Sequence, residues 1–110
     1  MADVLLTHSY FLRFDPKQYK AMTPYPPLAT LYAASLLRQR GHSVALFDSM
    51  FAESEEEIVR AIEIHRPRVV AIYDDDFNYL TKMCLRRMRL AAFRMAALAK
   101  KAGVHVIAHG

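Results

Sequence analysis

Residues 54–73 read SEEEIVRAIEIHRPRVVAIY, a helix and a strand divided by a stop signal. Ser54 and Glu57 have the spacing of a capping box, and Glu53, Glu55 and Glu56 put negative charge at the positive end of the helix dipole. Ile58, Ala61, Ile62 and His65 recur at helical spacing and give the segment one apolar face. Pro67 then ends the helix, because its ring removes a backbone donor. Val69-Val70-Ala71-Ile72-Tyr73 follows without a charged residue. A strand apolar at successive positions buries both faces, which requires a sheet covered by helices on its two sides.

The same alternation extends outward in both directions. Val4-Leu5-Leu6-Thr7 and Val104-His105-Val106-Ile107-Ala108 have the composition of further buried parallel strands, while Ser43-Val44-Ala45-Leu46-Phe47-Asp48 alternates more and fits a strand nearer a sheet edge. A helix is predicted from about Pro27 to Arg40, opened by Pro26-Pro27 and closed by Gly41. Another is predicted from about Leu80 to Ala102, ending at Gly103. On its helical wheel Cys84, Met88, Ala91, Ala92, Met95, Leu98 and Ala99 gather on one side, and Arg86, Arg89, Arg94 and Lys101 lie opposite. A methionine stripe in that position reads as core.

Strand, long loop, helix, strand, helix, strand, helix, strand is the order of a doubly wound α/β domain with a parallel sheet and right-handed crossovers. The flavodoxin-like (Rossmann-like) version orders its strands 2-1-3-4-5. The expectation is therefore a single domain over residues 1–110, truncated after the fourth strand and incomplete at its C-terminus.

Composition narrows the classes further. The chain is 54 % apolar and 24 % charged, the balance of a folded protein. Its apolar runs are far shorter than the roughly 20 residues of a membrane span, and MADVLL lacks the charge and core of a signal peptide. With one cysteine, Cys84, there is no internal disulfide, and a cytoplasmic setting fits. The net charge is +4, with seven cations and no acid from Phe77 to Lys101. That block reads as a solvated helix face in preference to a nucleic-acid surface.

In open α/β sheets ligands bind beyond the carboxyl ends of the strands, at the switch in strand order. Here that region takes in Thr7 to Ala29, Asp48 to Phe51, Tyr73 to Tyr79, and His109-Gly110. The first of these is a connection of roughly twenty residues, rich in aromatics and proline, where such loops usually take 2–6. A Rossmann nucleotide site would use Asp48 for ribose, but no glycine-rich turn follows the first strand. Asp74-Asp75-Asp76 is similar to the acidic loop of phospho-acceptor receiver domains or of a hard-metal site, although Thr7-His8-Ser9 stands where a receiver has acids. A signalling or protein-interaction module built on Asp74 to Asp76 is thus the alternative reading. His8 and His109 end strands and could face one site, but two histidines alone make no metal centre. No nucleophile–base pair or paired catalytic carboxylates are present, so no catalytic residue is assigned and the chain is not expected to catalyse by itself.

The segment Pro26-Pro27-Leu28-Ala29-Thr30-Leu31-Tyr32-Ala33-Ala34-Ser35-Leu36-Leu37-Arg38, followed by Arg40-Gly41-His42-Ser43-Val44 and Asp48, resembles the N-terminal cobalamin-binding domain of cobalamin-dependent radical S-adenosylmethionine enzymes, the group that includes the anaerobic magnesium-protoporphyrin ester cyclase. The resemblance implies a flavodoxin-like fold with cobalamin across the strand ends. It implies contacts from Thr7, His8, Ser9, Pro27, Leu28, Tyr73, Asp74, Asp75, His109 and Gly110. Mutase-type cobalamin domains carry D-x-H-x-x-G after the first strand, where this chain has Ser9-Tyr10-Phe11-Leu12-Arg13-Phe14-Asp15. Cobalamin would therefore be held without that histidine ligand, with His8 an outside candidate. The resemblance further implies a downstream radical barrel domain as partner. The iron–sulfur cluster and S-adenosylmethionine would belong to that domain, since this chain has no C-x-x-x-C-x-x-C motif.

Overall fold

Four short parallel strands form the centre of the molecule in a computed structural model that describes residues 1–11, 28–73 and 85–109. Strand β1 is Val4–Thr7, followed by helix α1 (Leu28–Gln39), β2 (Val44–Phe47), a 3-10 turn (Ser49–Phe51), α2 (Glu57–His65), β3 (Val69–Tyr73), α3 (Leu85–Lys101) and β4 (His105–His109). The sheet order is β2-β1-β3-β4, with every neighbouring pair parallel. This is a doubly wound α/β fold, and its order matches the first four strands of the flavodoxin-like plan.

Register sorts the side chains into two faces. Leu5, Val70 and Ile72 point to the face covered by α2 and α3, where they join Ile58, Ala61, Ile62, Ala91, Met95 and Ala99 in one core. Met95 and Ala99 are fully enclosed, so the methionine stripe is packing. Burying a side chain of that size contributes about 1.5–3 kcal/mol. Leu6 points to the other face, on which α1 lies over β1 and β2 with Thr30 and Ala34 turned inward. On this second face Ile107 of β4 remains 59 % exposed.

Several sequence expectations shift in detail. Strand β2 is an edge strand, half-buried throughout, as its alternation suggested. Strand β4 has the composition of a buried strand, but it forms the other edge, as a plan ending at its fourth strand implies, and only Val106 and the preceding Val104 pack toward the core. The reason is geometric: α3 covers one face of β4 alone. Helix α2 begins at Glu57 and not at Ser54, and the capping box does not close. The Glu57 carboxylate reaches back to the Glu53 N–H, while Ser54 offers its carbonyl to the Glu57 N–H at 3.3 Å. Arg66, at φ 45°, ends α2 in the left-handed region, and Gly41 and Gly103 do the same for α1 and α3 at 90° and 82°. The start predicted for the third helix at Leu80, and Cys84 within it, fall outside the described residues.

Ion pairs join the segment just before α2 to α3. Arg87 Nη1 donates to Glu55 Oε1 at 2.8 Å, and Arg94 Nη2 to Glu56 Oε1 at 2.9 Å. The Glu56 pair is fully exposed and contributes little, whereas Glu55 is buried and depends on its arginine. Among the described residues no helix is long and apolar enough to cross a membrane.

Candidate functional site

The strand order reverses between β1 and β3, so the ligand-binding position of this architecture lies beyond Thr7 and Tyr73. Thr7 pairs with Phe47 in the sheet, and its Oγ1 also donates to the Phe47 carbonyl at 2.7 Å. The next residues on the two strands, His8 and Asp48, consequently stand level with one another. His8 Nε2 meets Asp48 Oδ1 at 2.7 Å. The tautomer follows from the donors: the Tyr10 backbone N–H points at His8 Nδ1 at 3.2 Å, so Nδ1 accepts and Nε2 carries the proton.

Asp48 has a second task. Its Oδ1 accepts the Met50 N–H at 3.0 Å and caps the 3-10 turn. Burial pushes the Asp48 carboxyl up, but the hydrogen bonds from His8 and from the Met50 N–H outweigh it and hold the carboxyl below its ordinary value of 3.8. Ser49 completes the arrangement: its hydroxyl lies 2.8 Å from the His8 carbonyl and 3.0 Å from the Tyr10 carbonyl, a forked bond that satisfies two buried acceptors. Thr7, His8, Ser9 and Ser49 are all buried, and Tyr10 and Phe11 seal them, Phe11 from within the apolar core. Among the described residues no buried side-chain nitrogen or oxygen lacks a partner.

A second group sits at the ends of β3 and β4. The rings of Tyr73 and His109 lie with centroids 5.0 Å apart and planes inclined by 36°. Tyr73 is half-buried and His109 exposed, so this pair offers aromatic surface to solvent. Thr30 of α1 approaches the Tyr73 carbonyl at 3.4 Å, which brings the first helix to the same end of the sheet. A separate groove of about 500 Å³ runs between α1 and β2, lined by Leu31, Ala34, Ser35, Arg38, Gln39 and Leu46. Of these only Leu46 belongs to a strand, and it precedes the carboxyl end of β2.

The residues expected at the site thus fall into two groups. Thr7, His8 and Ser9 are brought together as an interior polar knot, and Tyr73 and His109 as a partly open ring pair. Leu28 opens α1. Pro27, Asp74, Asp75 and Gly110 lie outside the described residues, as does Asp76. His8 meets Asp48 and His109 stacks near Tyr73. Among the described residues no cluster of three or more His, Cys, Asp or Glu is placed to hold a metal.

In the sequence Asp48 to Phe51 falls at the ligand-facing end, with Asp48 a ribose candidate and part of the signature segment, but nothing there pairs Asp48 or Ser49 with His8. The available signal was the edge character of the second strand: once it neighbours the first, residues 8 and 48 must stand side by side. No known protein-family profile matches the chain, and no curated protein matches it.

Proposed function

We propose that this domain is a cobalamin-binding module of a larger radical S-adenosylmethionine enzyme, holding the corrin beyond the carboxyl ends of its strands. The observation that carries the reading is the β2-β1-β3-β4 order, which sets the switch point beside α1, the helix formed by the Leu28 to Arg38 part of the signature segment. The residues present fit a corrin held without a protein ligand to cobalt. Both His8 ring nitrogens are engaged, one by Asp48 and the other by the Tyr10 N–H, so ligation would require dismantling the knot.

In this reading the chain's own contribution is shape and support. Thr7, His8 and Ser9 form a rigid floor, and Tyr73 with His109 supplies ring surface at its margin. Bound cobalamin would supply methyl-transfer or cobalt redox chemistry, and reductive cleavage of S-adenosylmethionine would belong to a separate barrel domain.

The test is retention of corrin. The protein is mixed with hydroxocobalamin or with methylcobalamin, desalted, and its visible spectrum recorded. The expected result is retained corrin absorbance that His8→Ala leaves spectrally unchanged, with retention falling at least about tenfold in a Tyr73→Ala/His109→Ala variant. A tenfold loss corresponds to about 1.4 kcal/mol, the scale of a ring contact. Failure of both cobalamin forms to survive desalting would overturn the proposal.

A further inference from the structure

Strand β2 ends the described sheet, and its hydrogen-bonding frame follows from its one neighbour, β1. The Val4 N–H goes to the Ser43 carbonyl at 3.1 Å, and Val4 stands in register with Val44. In a parallel ladder this turns Ser43, Ala45 and Phe47 toward β1, and it turns the N–H and C=O of Val44 and Leu46 to the outer side. Arg38 agrees with that frame: its Nη2 donates to the Val44 carbonyl at 3.2 Å. Among the described residues no backbone group pairs with this outer side. Edge strands are commonly blunted by charge or proline, yet Val44 to Phe47 has neither. The groove between α1 and β2 borders the same edge, with Leu31, Ala34 and Leu46 apolar and Arg38 its one charged lining residue. Asp48, two residues beyond Leu46, falls on the same face as Leu46. Its Oδ1 is engaged by His8 and the Met50 N–H, while the side chain is 41 % exposed and Oδ2 accepts no bond among the described residues.

We infer that β2 pairs antiparallel with β2 of a second copy about a two-fold axis at Leu46, extending one sheet through both molecules. Leu46 then exchanges both of its backbone bonds with the partner's Leu46, and Val44 stands opposite the partner's Asp48. Charge selects this register. It delivers the partner's Asp48 carboxylate to Arg38, on the face that α1 covers. The N–H of the partner's Asp48 takes over the Val44 carbonyl, and the released guanidinium turns to the free carboxylate oxygen. The two-fold makes the same exchange twice. A register centred on Ala45 would pair Val44 with the partner's Leu46 and leave both charges unmatched. The partner's Leu46 also arrives at the mouth of the apolar groove, beside Leu31 and Ala34. Strand β4, the other edge, has no such complement, because self-pairing about Ile107 sets His105 against the partner's His109. A strand from another protein would have to bring an apolar residue and a carboxylate two positions apart, and β2 with Asp48 already carries both.

The test uses the whole chain. Sedimentation velocity over a concentration series is expected to show a monomer–dimer equilibrium. Amide exchange followed by NMR should show protection at Leu46 that rises with concentration, while Ala45, whose N–H faces β1, keeps one rate. Arg38→Glu, at an exposed position, sets two carboxylates together at each contact and should weaken the dimer at least about tenfold. Its thermal midpoint at a concentration where both proteins are monomeric should match the wild type, and Arg38→Lys should keep most of the affinity. Ile107→Lys, on β4, should dimerise as the wild type does. A wild-type chain that stays monomeric up to about 1 mM overturns the inference and turns attention to a heterologous strand. A dimer whose Leu46 exchange ignores concentration, an Arg38→Glu dimer of wild-type strength, or loss of the dimer in Ile107→Lys each overturns it as well.

Discussion

Phe11→Ala is expected to destabilise the fold by about 3–5 kcal/mol, the range for removing a large aromatic from a closed core. Phe11 is fully buried among Leu5, Ile58, Ile72 and Met95, and truncation leaves a void that a strand-anchored backbone fills poorly. Domains of this size have total stabilities of about 5–15 kcal/mol, so the loss is a large fraction of the whole. The midpoint of thermal unfolding, followed by circular dichroism, should fall by more than about 10 °C. Phe11 is also the last described residue of the segment leaving β1, and it pins that segment beneath α2 and α3. Its removal should therefore loosen the Thr7–Ser9 turn even where the sheet survives. Faster amide exchange at Tyr10 than at Val70 would report this. A shift of less than about 1 kcal/mol would show that Phe11 is not the plug described above.

The second large effect is expected at Asp48, where two substitutions separate charge from hydrogen bonding. Asp48→Ala takes the acceptor from the Nε2–H of His8, whose own side chain is 1 % exposed while that of Asp48 is 41 % exposed, and it removes the cap of the 3-10 turn. Together these should cost about 2–4 kcal/mol, combining an unsatisfied buried donor with a lost cap. Asp48→Asn retains an acceptor for both N–H groups and should cost much less. The sign of the pH dependence follows from the depressed carboxyl. Its stabilising effect is fully present above the unfolded value near 3.8 and is lost as pH falls through the lower folded value. The wild-type should thus lose stability between pH 4 and the acid limit, and Asp48→Asn should flatten that part of the curve, as urea titrations at stepped pH would record. Equal costs for the alanine and asparagine variants would overturn the hydrogen-bond account.

Much of the fold was legible because its signals are local. Pro67, Gly41 and Gly103 stop helices by backbone geometry, and each stop lies where punctuation placed it. The edge position of β2 followed from its alternation, because a strand covered less completely tolerates polar neighbours. The edge position of β4 was legible from a strand order ending at its fourth member, but not from the strand itself. Val104 to Ala108 has the composition of an inner strand, and which neighbours cover it is a property of the whole sheet. Nor was the helix start legible at Glu57, whose carboxylate reaches the Glu53 N–H, one residue before the Ser54 N–H that a capping box would engage.

The candidate site was legible in place but not in character. The carboxyl ends of the strands could be located from element order, and Thr7, His8 and Ser9 do lie there. Their polarity read as ligand chemistry, whereas the described contacts spend it on neighbouring strands. The difference turns on Asp48 and Ser49, which sit about forty residues away and become partners only once β2 docks against β1. Polar residues at a strand end announce that something will be bound, and sequence alone does not say whether that something is a ligand or the protein itself.

The knot around His8 has a kinetic meaning as well. Its bonds join segments about forty positions apart, and closing such a loop is entropically unfavourable until α1 and both strands have formed. The clasp is therefore expected to close late in folding, which stopped-flow kinetics of Asp48→Ala would record as faster unfolding with folding little changed. Interactions made after the folding transition state slow unfolding without hastening folding. In this small sheet a clasp of that kind acts as a timer: the depth it adds to the native well is read as slower unfolding and not as faster folding.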